Sequence, residues 1–332
     1  MSGVTGKTIV YLPNWLGDMV MAIPFLSSLR ASIYGELWGI GKGNAIHIYN
    51  GHNFFDRFVS LENKNLITLL DTITFLKRLR FKRGILLPHS FRSALLFYLA
   101  GISERAGYAR NKRDFMLTHR VAEDPALEST MEHYLKIIDT LGGRRTIIDA
   151  PSLIVTEDEE RKFNEKYIDI NKSYIAFVVG AQYGSSKCWP PLHFSELADM
   201  IIKRYGMKVY ILPGNGEEEL AGEVYAGSTQ KEGIEIISMG IRDLKVCLSH
   251  ASAVVTNDTG PRHISAALSV PTVALLGPMD ERYTAYPSTC TYTISADVPC
   301  RPCNKKKCDR DHECLKGIRP ETVFTKLEEI LG

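Results

Sequence analysis

The chain has 332 residues, more than one hydrophobic core usually organises, so two domains are expected. Its 45% hydrophobic and 23% charged content excludes a disordered or fibrous chain. No apolar run nears the roughly 20 residues that span a bilayer, and residues 1–7 lack a signal-peptide pattern. A cytoplasmic protein is expected, with any membrane contact peripheral. The net charge of +2 hides an asymmetry: residues 1–150 carry 19 Lys/Arg against 13 Asp/Glu, a net of +6, which leaves −4 for the remainder. Residues 77–120 hold 11 basic residues against only Glu104 and Asp114. A solvated face explains such a run, but it also suits a phosphorylated or membrane-surface partner. Nucleic acid is not expected, because aromatic side chains are not interleaved as stacking platforms.

In chain order, residues 8–12 read as a buried strand. A turn follows at Pro13-Asn14-Trp15-Leu16-Gly17-Asp18, and residues 19–30 have helical periodicity with a kink at Pro24. Strands are expected at 36–40 and 83–88, a helix at 93–100, a short strand from Gly101-Ile102, and a helix at 127–141 closed by Gly142-Gly143. Residues 149–171, with Pro151 and a charged run, read as a linker that is partly helical. The pattern then restarts with strands at 174–179, 208–212, 233–238, 253–255 and 272–276. Helices are expected at 190–205, from about 217, at 243–250 and at 264–268. Alternating strands and helices predict a doubly wound parallel sheet in each half, two Rossmann-like domains (1–160 and 161–332) facing a cleft. The second carries a Cys-rich segment, 300–314, and a C-terminal helix.

Three loops of the second half should converge, since each follows a strand of one parallel sheet. In Gly180-Ala181-Gln182-Tyr183-Gly184-Ser185-Ser186-Lys187, small residues allow close backbone approach and Lys187 supplies a charge for phosphate. The spacing is not that of a P-loop. The second loop is Pro213-Gly214-Asn215-Gly216-Glu217, where an acid after a strand suits a ribose hydroxyl. The third is Thr256-Asn257-Asp258-Thr259-Gly260-Pro261-Arg262-His263, a strand-to-helix turn whose free N–H groups attract anions. There the plain alternative is that Asp258 or Thr259 caps the helix. Together the loops describe a nucleotide-diphosphate pocket. In the first half, Asp18 after the first strand is placed as a general base on an acceptor hydroxyl, and a helix N-terminus would keep it ionised. The plain alternative is again an N-cap. The run Cys300, Cys303, Cys308, Cys314 suggests a metal ahead of a disulfide, with reduced thiols also open.

The Leu12-Pro13-Asn14-Trp15-Leu16-Gly17-Asp18-Met19-Val20-Met21, Lys187-Cys188-Trp189-Pro190 and Asn257-Asp258-Thr259-Gly260…His263 elements resemble glycosyltransferase family 9, the lipopolysaccharide heptosyltransferases. Leu87-Pro88-His89-Ser90-Phe91-Arg92-Ser93-Ala94 and Ala106-Gly107-Tyr108 are more similar to the heptosyltransferase II branch than to heptosyltransferase I. The resemblance covers nearly the whole chain. It implies a GT-B fold, with an N-terminal acceptor domain and a C-terminal ADP-heptose domain. It also implies inverting, metal-independent transfer to a lipid A–core oligosaccharide, at the inner face of the inner membrane. On this reading Asp18 is the catalytic base, Lys187 contacts phosphate and Glu217 the nucleoside. Asp258, Thr259, Gly260 and His263 form the donor loop, to which Ser185 and Ser186 add hydroxyls. Acceptor contacts are expected at Asn14, His89, Ser90, Arg92, Arg110 and Arg113. No cofactor is required for catalysis, and a metal at the cysteines would be structural. Pro261 and Arg262 depart from the Leu-Met or Leu-Ser of the family. Competing readings are another GT-B enzyme (an epimerase or a protein heptosyltransferase) and a non-catalytic nucleotide-sugar-binding module.

Overall fold

The computed structural model describes residues 6–61, 65–123, 129–146, 150–168, 170, 173–288 and 290–332. The chain forms two compact units, residues 1–151 with 282–286, and residues 152–281 with 287–332. Unit 1 contains β1 (Thr8–Tyr11), α1 (Leu16–Met21), α2 (Ile23–Ser32), β2 (Leu37–Gly41), β3 (Arg57–Ser60), α3 (Leu66–Leu79), β4 (Arg83–Leu86), α4 (Phe91–Leu99), β5 (Glu104–Tyr108), β6 (His119–Val121) and α5 (Thr130–Thr140). Its sheet is parallel throughout, in the order β3-β2-β1-β4-β5-β6. Strand runs such as Ile9-Val10 and Ile85-Leu86 are apolar on both faces because helices cover both faces of a parallel sheet.

Unit 2 contains α6 (Glu157–Lys166), β7 (Tyr174–Val178), α7 (Pro191–Tyr205), β8 (Lys208–Ile211), α8 (Glu218–Gly227), β9 (Ile234–Ile236), α9 (Ile241–His250), β10 (Ala253–Asn257), α10 (Gly260–Ala267), β11 (Thr272–Leu276), β12 (Thr291–Ser295), α11 (Glu313–Lys316) and α12 (Pro320–Leu331). The sheet order, β12-β11-β10-β7-β8-β9, repeats that of unit 1, again all parallel. In each unit the order reverses beside the first strand, between β1 and β4 and between β7 and β10. Open parallel sheets bind ligands beyond the carboxyl ends of the strands at such a switch point.

Several elements differ from the sequence reading. The helix expected over 19–30 is two helices meeting at Ala22; Pro24 stands at the start of the second, where its missing N–H costs nothing. The strand expected from Gly101 begins at Glu104, because Gly101 turns with φ +74°. β3, α3, β6 and β12 had no specific signal. The helix start expected at 127 and the linker start at 149 fall outside the described residues.

The units divide at Pro151/Ser152, ahead of the expected break after 160. The acidic run forms α6, opened by a capping box in which Thr156 and Glu159 exchange backbone hydrogen bonds. The same Glu159 meets Lys245 of α9 at 2.8 Å, with both side chains buried, and Lys245 also donates to the Ile154 carbonyl at 2.8 Å. Burial pushes the Lys245 pKa down while Glu159 pulls it back. Charge in a sequence signals solvent, so this helix reads as a linker until its partner is seen. Glu159→Ala should cost about 3–5 kcal/mol in urea unfolding, by stranding the Lys245 charge. The double replacement by leucines should recover most of that loss; a single-variant cost below about 1 kcal/mol would show that the pair does not anchor α6.

Candidate functional site

Three loops meet at the carboxyl end of the unit 2 sheet, on the adjacent strands β10, β7 and β8. Asn257, fully buried at the end of β10, ties two of them together. Its Oδ1 accepts the Trp189 backbone N–H at 3.0 Å, and its Nδ2 donates to the Val179 carbonyl at 2.7 Å. The Trp189 indole, also fully buried, donates to the Ile318 carbonyl at 3.0 Å, which fixes the residues just after Lys187 against the C-terminal helices.

Lys187 thereby reaches into the switch point. Its Nζ lies 2.7 Å from Asp258 Oδ2 and donates to the Asp258 carbonyl at 2.9 Å. The other Asp258 oxygen accepts from Arg262 Nη1 at 2.8 Å. Asp258 is 3% exposed. Burial pushes its pKa up, but Lys187 and Arg262 outweigh that and hold it at about 2. Burial, helped by Arg262, pushes His263 down to about 3, so this ring is neutral at pH 7. Two cations on one carboxylate leave the cluster with a charge of +1, at the start of α10. An anion is what such a cluster attracts.

The capping alternative fails on geometry. Thr259 occupies the N-cap position of α10 without a side-chain cap bond, and the Asp258 carboxylate is engaged by Lys187 and Arg262. The departure Pro261-Arg262 also has a physical reason. Proline is suited to the first helical turn, and Arg262 supplies the second cation on Asp258.

Glu217 joins the β8 loop to the β7 loop. Its carboxylate accepts the Gly214 N–H at 2.8 Å, and burial pushes its pKa up. It sits so near Gly180 that a Cβ there would lie 1.9 Å from the carboxyl carbon. Ser185 is exposed, whereas Ser186 is turned inward and donates to the Lys305 carbonyl at 2.6 Å. Gly184, at φ +150°, faces the Lys306 carbonyl at a distance that admits no Cβ. Tyr183 donates to the Asn304 carbonyl at 2.8 Å, and Lys187 lies over its ring, 5.0 Å from the centroid. The Cys-rich segment is therefore a brace for the phosphate-loop candidate, a role that spacing did not suggest. The metal expected at Cys300, Cys303, Cys308 and Cys314 is not supported. All four thiols are free and line one cavity of about 250 Å³, but among the described residues no three His, Cys, Asp or Glu gather in a way that could hold an ion.

In unit 1 most of the expected residues follow β1 and β4, the two strands at its switch point, while Arg110 and Arg113 follow β5. Asp18 is half-buried in the first turn of α1, and its charge raises the hydroxyl pKa of buried Tyr49 and Tyr134, after burial itself. Sequence reasoning had given neither tyrosine a role. Asn14 and Arg92 line a small pocket with Tyr11, Lys42, Thr68 and Thr72. His89 Nε2 lies 3.2 Å from His133 Nε2, and the His133 ring stacks on Tyr108 at 3.5 Å. Burial is the main reason that His89 falls to about 4 and His133 to about 3. Both imidazoles are neutral at pH 7, so one ring donates to the other. Ser90 caps α4, accepting the Ser93 N–H at 3.2 Å. Arg110 is ion-paired with Glu123. Arg113 is fully buried and donates to the carbonyls of Tyr108 and Pro88 at 2.9 and 2.5 Å, bolting the β4–α4 loop to β5. Ser90 and Arg113 thus shape the loop that carries His89.

Removing Asp258 strands two buried cations, so Asp258→Ala should cost about 3–5 kcal/mol. Inorganic pyrophosphate should restore more melting temperature to the variant than to the wild type, since an anion then replaces the carboxylate. Equal gains would count against a cation cluster open to ligand. The pH dependence has a definite sign. His89, His133 and His263 have folded pKa values below their ordinary value of 6.5, so the unfolded chain binds protons that the folded one refuses. Their contribution to stability is present above pH 6.5 and is lost as pH falls toward about 4 for His89 and about 3 for His133 and His263. Asp258, also depressed, adds a second loss between its ordinary 3.8 and about 2. Melting curves should show the first loss, and His133→Phe should flatten it; an unchanged slope would count against a neutral histidine pair.

The model of glycosyltransferase family 9 (heptosyltransferase) matches residues 72–313. The chain is 27% identical to lipopolysaccharide heptosyltransferase 2 of Escherichia coli (strain K12), across 98% of each sequence. Its fold superposes on the structure of E. coli ADP-heptose lps heptosyltransferase II with a TM-score of 0.85, at 24% identity and 98% coverage of both chains. An E. coli heptosyltransferase with ADP-2-deoxy-2-fluoro heptose superposes at 0.70, with 18% identity over 97% of this chain and 99% of that one. The fold is therefore α/β of the GT-B type. With two switch points of matching topology and a family match over most of its length, the chain belongs to glycosyltransferase family 9, the heptosyltransferases, and is a glycosyltransferase.

Proposed function

We propose that this chain transfers heptose from ADP-L-glycero-D-manno-heptose to a heptose hydroxyl of the lipopolysaccharide inner core, with inversion and without a metal. The observation that carries the donor half is the buried Lys187–Asp258–Arg262 cluster, with its surplus positive charge at the start of α10. Its backbone surroundings, Gly180 and Gly184, admit nothing larger than hydrogen at those two positions. The relative named lipopolysaccharide heptosyltransferase 2 and the neighbour holding ADP-2-deoxy-2-fluoro heptose support the same substrate class.

In this reading unit 2 holds the donor. Lys187 takes the diphosphate, Glu217 the nucleoside, and Thr259, Gly260 and His263 the rest of the donor loop. Asp18 of unit 1 accepts the proton of the acceptor hydroxyl as that oxygen attacks the anomeric carbon. The bond from that carbon to the phosphate oxygen breaks on the opposite face, which inverts the configuration. The electron pair leaves on ADP, where the Lys187 cluster stabilises it. Asn14, His89, Arg92 and Arg110 contact the acceptor, with Ser90 and Arg113 holding the loop that carries His89. The lipid-borne acceptor places the enzyme at the cytoplasmic face of the inner membrane.

Asp18→Asn should lower turnover by about 10²–10⁴-fold, the range for loss of a general base, while calorimetry finds ADP affinity within about twofold of wild type. The assay is mass spectrometry of defined truncated core acceptors incubated with ADP-heptose. Near-normal turnover would remove Asp18 from the mechanism. Free heptose released without acceptor would replace transfer by epimerase-like or hydrolytic chemistry.

A further inference from the structure

Among the described residues no helix is long and apolar enough to cross a membrane, yet unit 1 exposes large apolar side chains on two neighbouring helices and the turn beside them. On α3 these are Leu66, Ile67 and Leu70, with Ile67 72% exposed. On and after α4 they are Phe91, Tyr98, Leu99 and Phe115, with Phe115 61% exposed. Burying such side chains is favourable, so an exposed group of them needs an explanation. The two sets belong to packed neighbours: α3 lies against α4, and Arg92 of α4 donates to the Asn65 carbonyl at the N-cap of α3 at 2.9 Å. Phe115 brings Phe91 and Tyr98 together, its ring centroid 6.4 and 6.3 Å from theirs. Between the helices lies the pocket lined by Asn14, Lys42, Thr68, Thr72 and Arg92. The exposed apolar residues of α3 and α4 lie on the same two helices, at positions that do not line the pocket.

Charge selects the occupant. Lys77, Arg78 and Arg80 close α3, while Lys112 and Arg120 flank Phe115; the acids on these two elements are Asp71 and Asp114. A helix with apolar side chains exposed in its first half and a basic last turn suits the headgroup region of an anionic bilayer, where both components gain. We propose that α3, α4 and the turn at Asp114–Met116 form a membrane-docking surface. Leu66, Ile67, Leu70, Phe91 and Phe115 enter the interface of an anionic phospholipid bilayer, and the pocket between α3 and α4 opens toward it. The role of this surface in catalysis rests on the proposed lipid-borne acceptor; the surface itself rests on geometry and charge.

The test is co-sedimentation of the full chain with vesicles of phosphatidylcholine alone or with one third phosphatidylglycerol. The expected result is preferential binding to the anionic vesicles, weakened by salt and reduced about tenfold or more in Ile67→Ser/Phe115→Ser. Both positions are exposed, so the melting temperature should hold. Turnover with a delipidated, water-soluble core acceptor should be unchanged in this variant, while turnover with acceptor embedded in anionic vesicles falls in proportion to binding. Equal vesicle binding by wild type and variant overturns the proposal. So does concentration-dependent self-association that the variant abolishes without any change in vesicle binding, since the surface then joins two copies. Intact, variant-sensitive vesicle binding without turnover on any core acceptor supports the docking surface and rejects the acceptor reading instead.

Discussion

A single buried carboxylate organises the second unit. Asp258 sits at the end of β10 with Lys187 on one oxygen and Arg262 on the other, almost without solvent. An isolated carboxylate there would be protonated or expelled; two cations keep it charged, and it in turn holds both of them in place. Rigidity in such a cluster suits the proposed donor site, because a lysine on a flexible stem would otherwise lose much of its freedom on meeting an anion. The neighbouring loops serve the same end. Asn257 ties β10 to the chain on either side of the glycine loop, Glu217 fills the space that Gly180 leaves, and the Cys-rich segment holds Tyr183 and Ser186 from outside.

The first unit solves a different problem. Its switch point carries one half-buried carboxylate, Asp18, and a neutral histidine pair, with Arg113 committed to backbone carbonyls beneath. Positive charge there is distributed over the surface, unlike the compact, buried cluster of unit 2. That contrast fits the proposed division, in which one unit grips a small diphosphate and the other meets a large, amphiphilic acceptor. The proposed docking surface on α3 and α4 belongs to the same picture, since a bilayer requires contact with headgroups and acyl chains together.

Much of this was legible in the letters, for reasons of local physics. Residues 174–179 are apolar without alternation because a parallel strand is buried on both faces, and that run revealed a sheet. Small residues followed by Lys187, and Asn257-Asp258-Thr259-Gly260 between a strand and a helix, pointed to the proposed anion site because small residues allow close backbone approach and a helix start offers free N–H groups. The acidic run at 157–160 misled, since the charge of Glu159 is neutralised by Lys245, 86 positions away in the chain. Cysteine spacing misled likewise. It suggested a metal, whereas the structure uses that segment to brace a loop from more than 100 residues earlier.

By itself the sequence determined the strand and helix alternation, the two-part organisation, the family, and which residues crowd the strand ends, because these depend on neighbours in the chain. Only the tertiary structure decided how those residues are used. It showed that Asp258 is paired from both sides rather than capping a helix, and that Arg262 is part of that cluster. It also showed that Ser186 faces away into the Cys-rich segment, and that Arg113 is a strut. Such roles depend on which groups burial brings together and how the low dielectric inside weighs their charges. No spacing in a linear chain encodes that directly.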